Sequence, residues 1–138
     1  MGNEPLVGSQ RTYFEPPDTV VMNLSGNVQP EEAIAMGKLH VEWATGLPFC
    51  FYLIDGSILD RLDPEVRRLA NQSLQQMPVR GIAVHSAPLK ARVMIKLVLT
   101  ALRLFRSEVE ETPIVFFDNE QEGRDWIAKR RLEVQGAK

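Results

Sequence analysis

Pro48-Phe49-Cys50-Phe51-Tyr52-Leu53-Ile54-Asp55-Gly56-Ser57 is the stretch that decides the fold. Residues 49–54 form an unbroken apolar run of strand length, as expected for a strand covered on both faces. Cys50, the only cysteine in the chain, sits inside that run and reads as a small buried hydrophobe. A lone cysteine excludes an internal disulfide and any multi-cysteine metal cage.

Periodicity changes on both sides of the run. Upstream, residues 11–14 and 19–24 read as two short strands joined by the turn Glu15-Pro16-Pro17-Asp18, and so short a link implies an antiparallel pair. Pro30 opens a helix with Glu31 and Glu32 in its first turn. Ala33, Met36, Leu39, His40 and Trp43 recur on it at helical spacing, and Gly46 stops it.

Downstream, Asp63-Pro64-Glu65 supplies an N-cap, a proline at the first helical position and an acid in the first turn. Val66, Leu69, Ala70, Leu74 and Met77 form that helix's apolar face. Val79–His85 is the next strand, and Ser86-Ala87-Pro88 opens a third helix running to about Phe105. Residues 113–117 form the last strand, and Asp118 or Asn119 caps a final helix carrying Gly123, Trp126 and Ile127. The expected order is β-β-α-β-α-β-α-β-α: a five-stranded mixed, mostly parallel sheet with four main helices. Residues 1–10 read as a flexible tail, 11–132 as one domain and 133–138 as a second tail.

A chain of 138 residues is long enough to bury a sizeable core. Its 44% hydrophobic and 25% charged residues argue against disorder, and a net charge of -2 offers no general attraction to nucleic acid or anionic membrane. The N-terminus lacks the charged and apolar regions of a secretory signal, and Leu6 stands where a myristoylation motif wants Ser or Thr. The longest apolar stretch, 93–105, is broken by Lys96 and Arg103 and is too short to span a bilayer. Cytoplasmic residence is the expectation.

Two stretches carry a family likeness. They are Ile82-Ala83-Val84-His85-Ser86-Ala87-Pro88 leading into Lys90-Ala91-Arg92-Val93, and Pro113-Ile114-Val115-Phe116-Phe117-Asp118-Asn119-Glu120-Gln121-Glu122-Gly123-Arg124-Asp125-Trp126-Ile127. The chain resembles bacterial STAS/SEC14-like domains, the anti-sigma-factor-antagonist-like family, over roughly residues 11–132. The resemblance implies a regulatory domain that acts by protein–protein contact, with Asp55-Gly56-Ser57 at a strand end and an acid, Asp63, before the phosphorylated position. Pro64-Glu65 stands there instead of a serine. The kinase-controlled switch is therefore not carried over, although Glu65 puts a fixed negative charge near that spot.

Partners of an open α/β sheet meet the edge formed by the carboxyl ends of its parallel strands. The candidate partner- or ligand-binding edge comprises Asp55, Gly56, Ser57, Asp63, Glu65, His85, Ser86, Lys90, Arg92, Asp118 and Asn119. Ser86, Lys90 and Arg92, with backbone N–H groups, offer a place for a small anion. The plainer account is that Ser86 and Asp118 or Asn119 cap helices and the cations are solvated. His40, within an apolar stripe, reads as a hydrogen-bonded core residue.

On the third helix Arg92, Lys96, Leu99, Arg103 and Arg106 fall on one basic-apolar strip. Met94, Leu97, Val98, Ala101, Leu104 and Phe105 form the arc expected to face the sheet. A surface leucine among cations needs no special explanation, but the strip also suits an acidic partner helix or an anionic membrane.

No P-loop, G-x-G-x-x-G, H-E-x-x-H or G-x-S-x-G motif occurs, so no catalytic role, cofactor or metal is expected. The leading expectation is a non-catalytic interaction domain with a protein partner, and a homodimer is compatible with it. The alternative is a small-ligand or lipid-binding module of SEC14-like type. Nucleic acid is not expected as a partner.

Overall fold

The computed structural model describes residues 6–105 and 112–136, with backbone only for Leu99 and residues 101–105. Its elements are β1 (Leu6–Val7), β2 (Gln10–Glu15), β3 (Thr19–Asn27), α1 (Pro30–Ala44), β4 (Cys50–Arg61), α2 (Pro64–Leu74), β5 (Val79–His85), α3 (Leu89–Phe105), β6 (Ile114–Phe117) and α4 (Glu120–Gly136). The strands form one mixed sheet in the order β1-β2-β3-β4-β5-β6. β1–β2 and β2–β3 pair antiparallel, and β3 to β6 pair parallel. The mixed α/β architecture with four helices agrees with the sequence. The strand number does not, because the sheet has six strands rather than five.

The sixth strand lies in the stretch read as a tail. Leu6 and Val7 pair with Arg11 and Gln10 across a turn at Gly8, whose φ is +61°. The Glu32 carboxylate holds this corner by accepting N–H groups from Ser9 (2.7 Å) and Gln29 (2.8 Å) and the Gln10 amide (3.1 Å). Burial pushes the Glu32 carboxyl up, but these donors outweigh it and keep its pKa below the ordinary value. At the other end α4 continues to Gly136, past the expected boundary at 132.

Each crossover from β3 to β6 moves to the next strand in the same direction. Right-handed connections therefore put α1, α2 and α3 on one face. Val20, Tyr52, Ile54, Ile82 and Val84 point to that side, and their core includes Met36, Val66, Leu74, Ala91, Ile95 and Val98. Strand periodicity sends Phe51, Leu53 and Ala83 to the opposite face, where α4 packs with Ile127 and Trp126. α4 approaches closely because two contacts are made by glycines: Gly81 lies under the Trp126 ring, and Gly123 lies against Leu53.

α3 sits differently from the expectation. Ala91, Ile95 and Val98 are buried among its described side chains, whereas Leu97 is 48% exposed beside Leu89 and Val93. Helical periodicity puts Leu97 on the sheet-facing arc. The helix is turned because three helices share its face, so part of the apolar arc meets α2 rather than the sheet. No helix among the described residues is long and apolar enough to cross a membrane.

Two arginines clamp α4 to the β2–β3 hairpin. Arg131 makes a bidentate pair with Asp18 (2.8 Å and 2.8 Å), and Arg124 pairs with Glu15 (2.8 Å). Asp18 is almost fully buried, so removing its partner leaves a charge in a dry site. Arg131→Ala is expected to lower stability by about 2–3 kcal/mol, read as a shift of the urea midpoint at constant m-value.

His40 is a core residue, as its place in an apolar stripe suggests, and it is fully wired. Thr12 donates its hydroxyl to the Val21 carbonyl (2.9 Å), so its oxygen accepts Nε2–H of His40 (2.8 Å). Nδ1 then accepts from the Tyr52 hydroxyl (3.0 Å), a better acceptor than the Met77 sulfur at 3.4 Å. Burial lowers the His40 pKa to about 4 from 6.5 and raises that of Tyr52. Between these two His40 values the unfolded chain binds the extra proton, so stability is full above pH 6.5 and falls as pH drops toward 4. The loss attributable to His40 is roughly 3 kcal/mol. Chemical denaturation at pH 7 and pH 4 should therefore show a smaller acid loss for His40→Gln than for the parent.

Candidate functional site

The two faces of the sheet are covered unequally. Three helices cover one, and α4 alone covers the other. Near the carboxyl ends of the parallel strands, α4 meets that second face with its first residue, Glu120. A cavity of about 160 Å³ opens there, lined by Arg11, Tyr13, Asn23, Asp55, His85 and Glu120 together with Val21, Met22 and Leu53.

Sheet register builds the site. Arg11 pairs with Asn23, Asn23 with Asp55, and Asp55 with His85, so one row across β2, β3, β4 and β5 carries four polar side chains. The row one step deeper on that face is Tyr13, Val21, Leu53 and Ala83. Below the polar row lies the α4 core, and above it β5 ends while β3 and β4 pair on to Asn27 and Arg61.

Asp55 does not end its strand, as the Asp-Gly-Ser sequence suggested. β4 runs on to Arg61 through two register shifts against β3. The Asp55 carboxylate accepts the Ser57 N–H (2.9 Å) and so shapes the first bulge, with Ser57 itself exposed. Gly56 is buried against Ala87, where a Cβ would lie 2.9 Å from the alanine methyl.

His85 is 5% exposed. Ser86, with a φ of +64°, turns its hydroxyl back over the end of β5. That hydroxyl lies 2.9 Å from Nδ1 of His85 and 3.4 Å from the Asp118 carbonyl, so it bridges the end of β5 to the loop after β6. Nε2 of the ring has no hydrogen-bond partner among the described residues. Asn23 Oδ1 is fully buried and likewise has no partner.

The remaining candidates from the sequence are placed as follows. Asp63 pairs with Arg61 (3.0 Å) rather than capping α2, and Glu65 pairs with Arg68 (2.8 Å) within the helix. Both sit at the start of a helix on the opposite face and do not line the cavity. Lys90 binds Asp60 (3.1 Å). Arg92 donates to the Ala87 carbonyl (2.9 Å) and lies over the Phe116 ring, which Lys96 also faces. Ser86, Lys90 and Arg92 are thus engaged separately and do not converge on an anion. Asn119 caps α4 by accepting the Glu122 N–H (2.9 Å), and Asp118 lends its backbone to Ser86 and Glu122. In the α3 strip, the Leu99 and Arg103 side chains and Arg106 lie outside the described residues.

Sequence reasoning missed Arg11, Tyr13, Asn23 and Glu120. One signal was available: Asn23 interrupts the run Val20-Val21-Met22-Asn23-Leu24, and asparagine is depleted in strands. Among the described residues no three His, Cys, Asp or Glu side chains come together as a metal site.

A second cavity, about 100 Å³ and almost wholly apolar, lies between the sheet and α1 and α2, lined by Met36, His40, Tyr52, Leu62, Val66 and Leu74 among others. Because Gly56 anchors the bulge that aims Asp55, Gly56→Val is expected to cost about 1–3 kcal/mol by overpacking against Ala87. It should also shift the amide resonances of Asp55 and Ser57, which a two-dimensional NMR spectrum reports. No protein-family model, curated protein or solved structure matches this chain.

Proposed function

We propose that the chain is a non-catalytic, cytoplasmic regulatory module of STAS/SEC14-like type that binds a small polar ligand at its strand-end edge, where it also meets a protein partner. The observation that carries this reading is the single register row of Asn23, Asp55 and His85 lining a cavity of about 160 Å³. A cavity of about 150 Å³ is enough for a benzene-sized molecule.

Absence of catalysis is supported by the wiring of His85. Its Nδ1 faces the neighbouring Ser86, and no Asp or Glu is bonded to it among the described residues, so the orienting acid of a Ser-His-Asp arrangement is lacking. A lipid has less support, because the apolar cavity of about 100 Å³ is too small for an acyl chain.

A thermal-shift screen of small polar metabolites tests the function. A ligand at ten times its Kd adds about 1.4 kcal/mol, or roughly 5 °C for a domain of this size. At least one compound should raise the melting temperature of the parent protein by that amount, and Asp55→Asn and His85→Gln should abolish the shift. A flat screen, or hits indifferent to both substitutions, would count against the reading.

A further inference from the structure

We propose that the second cavity, between the sheet and α1 and α2, is a binding site for one compact apolar molecule smaller than benzene. It lies on the three-helix face, across the sheet from the polar row, and does not depend on the ligand proposed there.

Six elements build its walls, with Leu24 from β3, Met36 from α1, Tyr52 from β4, Val66 from α2, Ile82 from β5 and Ile95 from α3. All six residues are buried. The polar side chains that reach the lining are bonded within the protein. His40 has Nε2 against the Thr12 hydroxyl (2.8 Å) and Nδ1 against the Tyr52 hydroxyl (3.0 Å). Ser73 donates to the Leu69 carbonyl one turn back in α2 (3.5 Å). A buried water needs about three hydrogen bonds to groups that lack partners, and no side chain of this wall is left for it. A guest without donors or acceptors fits such a wall, whereas a polar one would lose its hydrogen bonds to water and gain none.

The space cannot close by a simple approach of the helices. α1 and α2 line it with the small residues Ala33, Gly37, Ala70 and Ser73. A Cβ placed on Gly37 would collide with the Ser73 hydroxyl, so the two helices already touch at this point of their seam. That contact props them apart from the sheet and keeps the space behind them open. Its volume is about 100 Å³. An apolar cavity of about 150 Å³ stays dry and takes benzene or xenon, so the guest here is xenon-sized or a branched hydrocarbon of about four carbons.

Xenon and isobutene, added to the full chain with ¹³C-labelled methyl groups, provide the test, with acetone as the matched polar probe. Acetone has the shape of isobutene with a carbonyl oxygen in place of the terminal CH₂. Xenon and isobutene should shift the methyl resonances of Val66, Leu74 and Ile95 saturably. Isobutene should bind about tenfold or more tightly than acetone, because the carbonyl would be buried without a donor. Ala33→Val fills the cavity from α1 and Ala70→Val fills it from α2. Each should weaken isobutene about tenfold or more, because the added methyl groups take the guest's volume. The two substitutions come from different walls, so either folded variant decides the point.

No saturable shift, shifts spread evenly over all methyl groups of the chain, or equal binding of acetone would overturn the proposal. So would unchanged isobutene binding in a folded Ala33→Val or Ala70→Val protein.

Discussion

One helix must cover a sheet face whose reverse side takes three. A helix is roughly 10 Å wide with its side chains, and strands are about 4.8 Å apart, so α4 spans about two strands of a six-stranded sheet. Its position is set by the Arg131–Asp18 and Arg124–Glu15 pairs and by the close approach at Gly81 and Gly123. Where α4 does not reach, the outward row of the sheet is left for polar residues. The cavity is a direct consequence of that unequal coverage.

Polar groups are handled in opposite ways on the two faces. Beneath α1, the chain from Tyr52 through His40 and Thr12 to the Val21 carbonyl satisfies each buried group and leaves nothing polar to offer a ligand. On the α4 face Asn23 Oδ1 and His85 Nε2 have no hydrogen-bond partner among the described residues, and both residues line the cavity. A histidine in the core is thus structural, and a histidine at a strand end belongs to the candidate site. The difference lies in their partners rather than in residue type.

The β4 bulge joins fold to site. Without the bulge in which Gly56 and Ser57 together oppose Leu24 alone, β4 would continue in register with β3 beyond Asn23 and Asp55. With them the strand bends, the Asp55 carboxylate is tied to its own backbone, and β4 passes against Ala87 where β5 has ended. The Ser86 hydroxyl does the same for His85 by bridging it to the loop after β6. Both side chains are therefore oriented by atoms of the fold before any ligand arrives.

The sequence by itself determined the alternation of elements from β3 onward, the antiparallel start, the buried run through Cys50 and Ile54, and the helix limits near Pro30, Pro64 and Leu89. These follow from local periodicity and capping, which depend on residues close in the chain. It also marked His85 and Ser86 as strand-end groups. Tertiary structure alone decided that Leu6–Val7 joins the sheet, that Leu97 faces outward, and that Lys90 and Arg92 are engaged by Asp60 and Ala87. It also brought Arg11 and Asn23 beside Asp55 and His85. Residues 11, 23, 55 and 85 share a row only through strand register, and register is set by pairing between distant segments that no local pattern encodes.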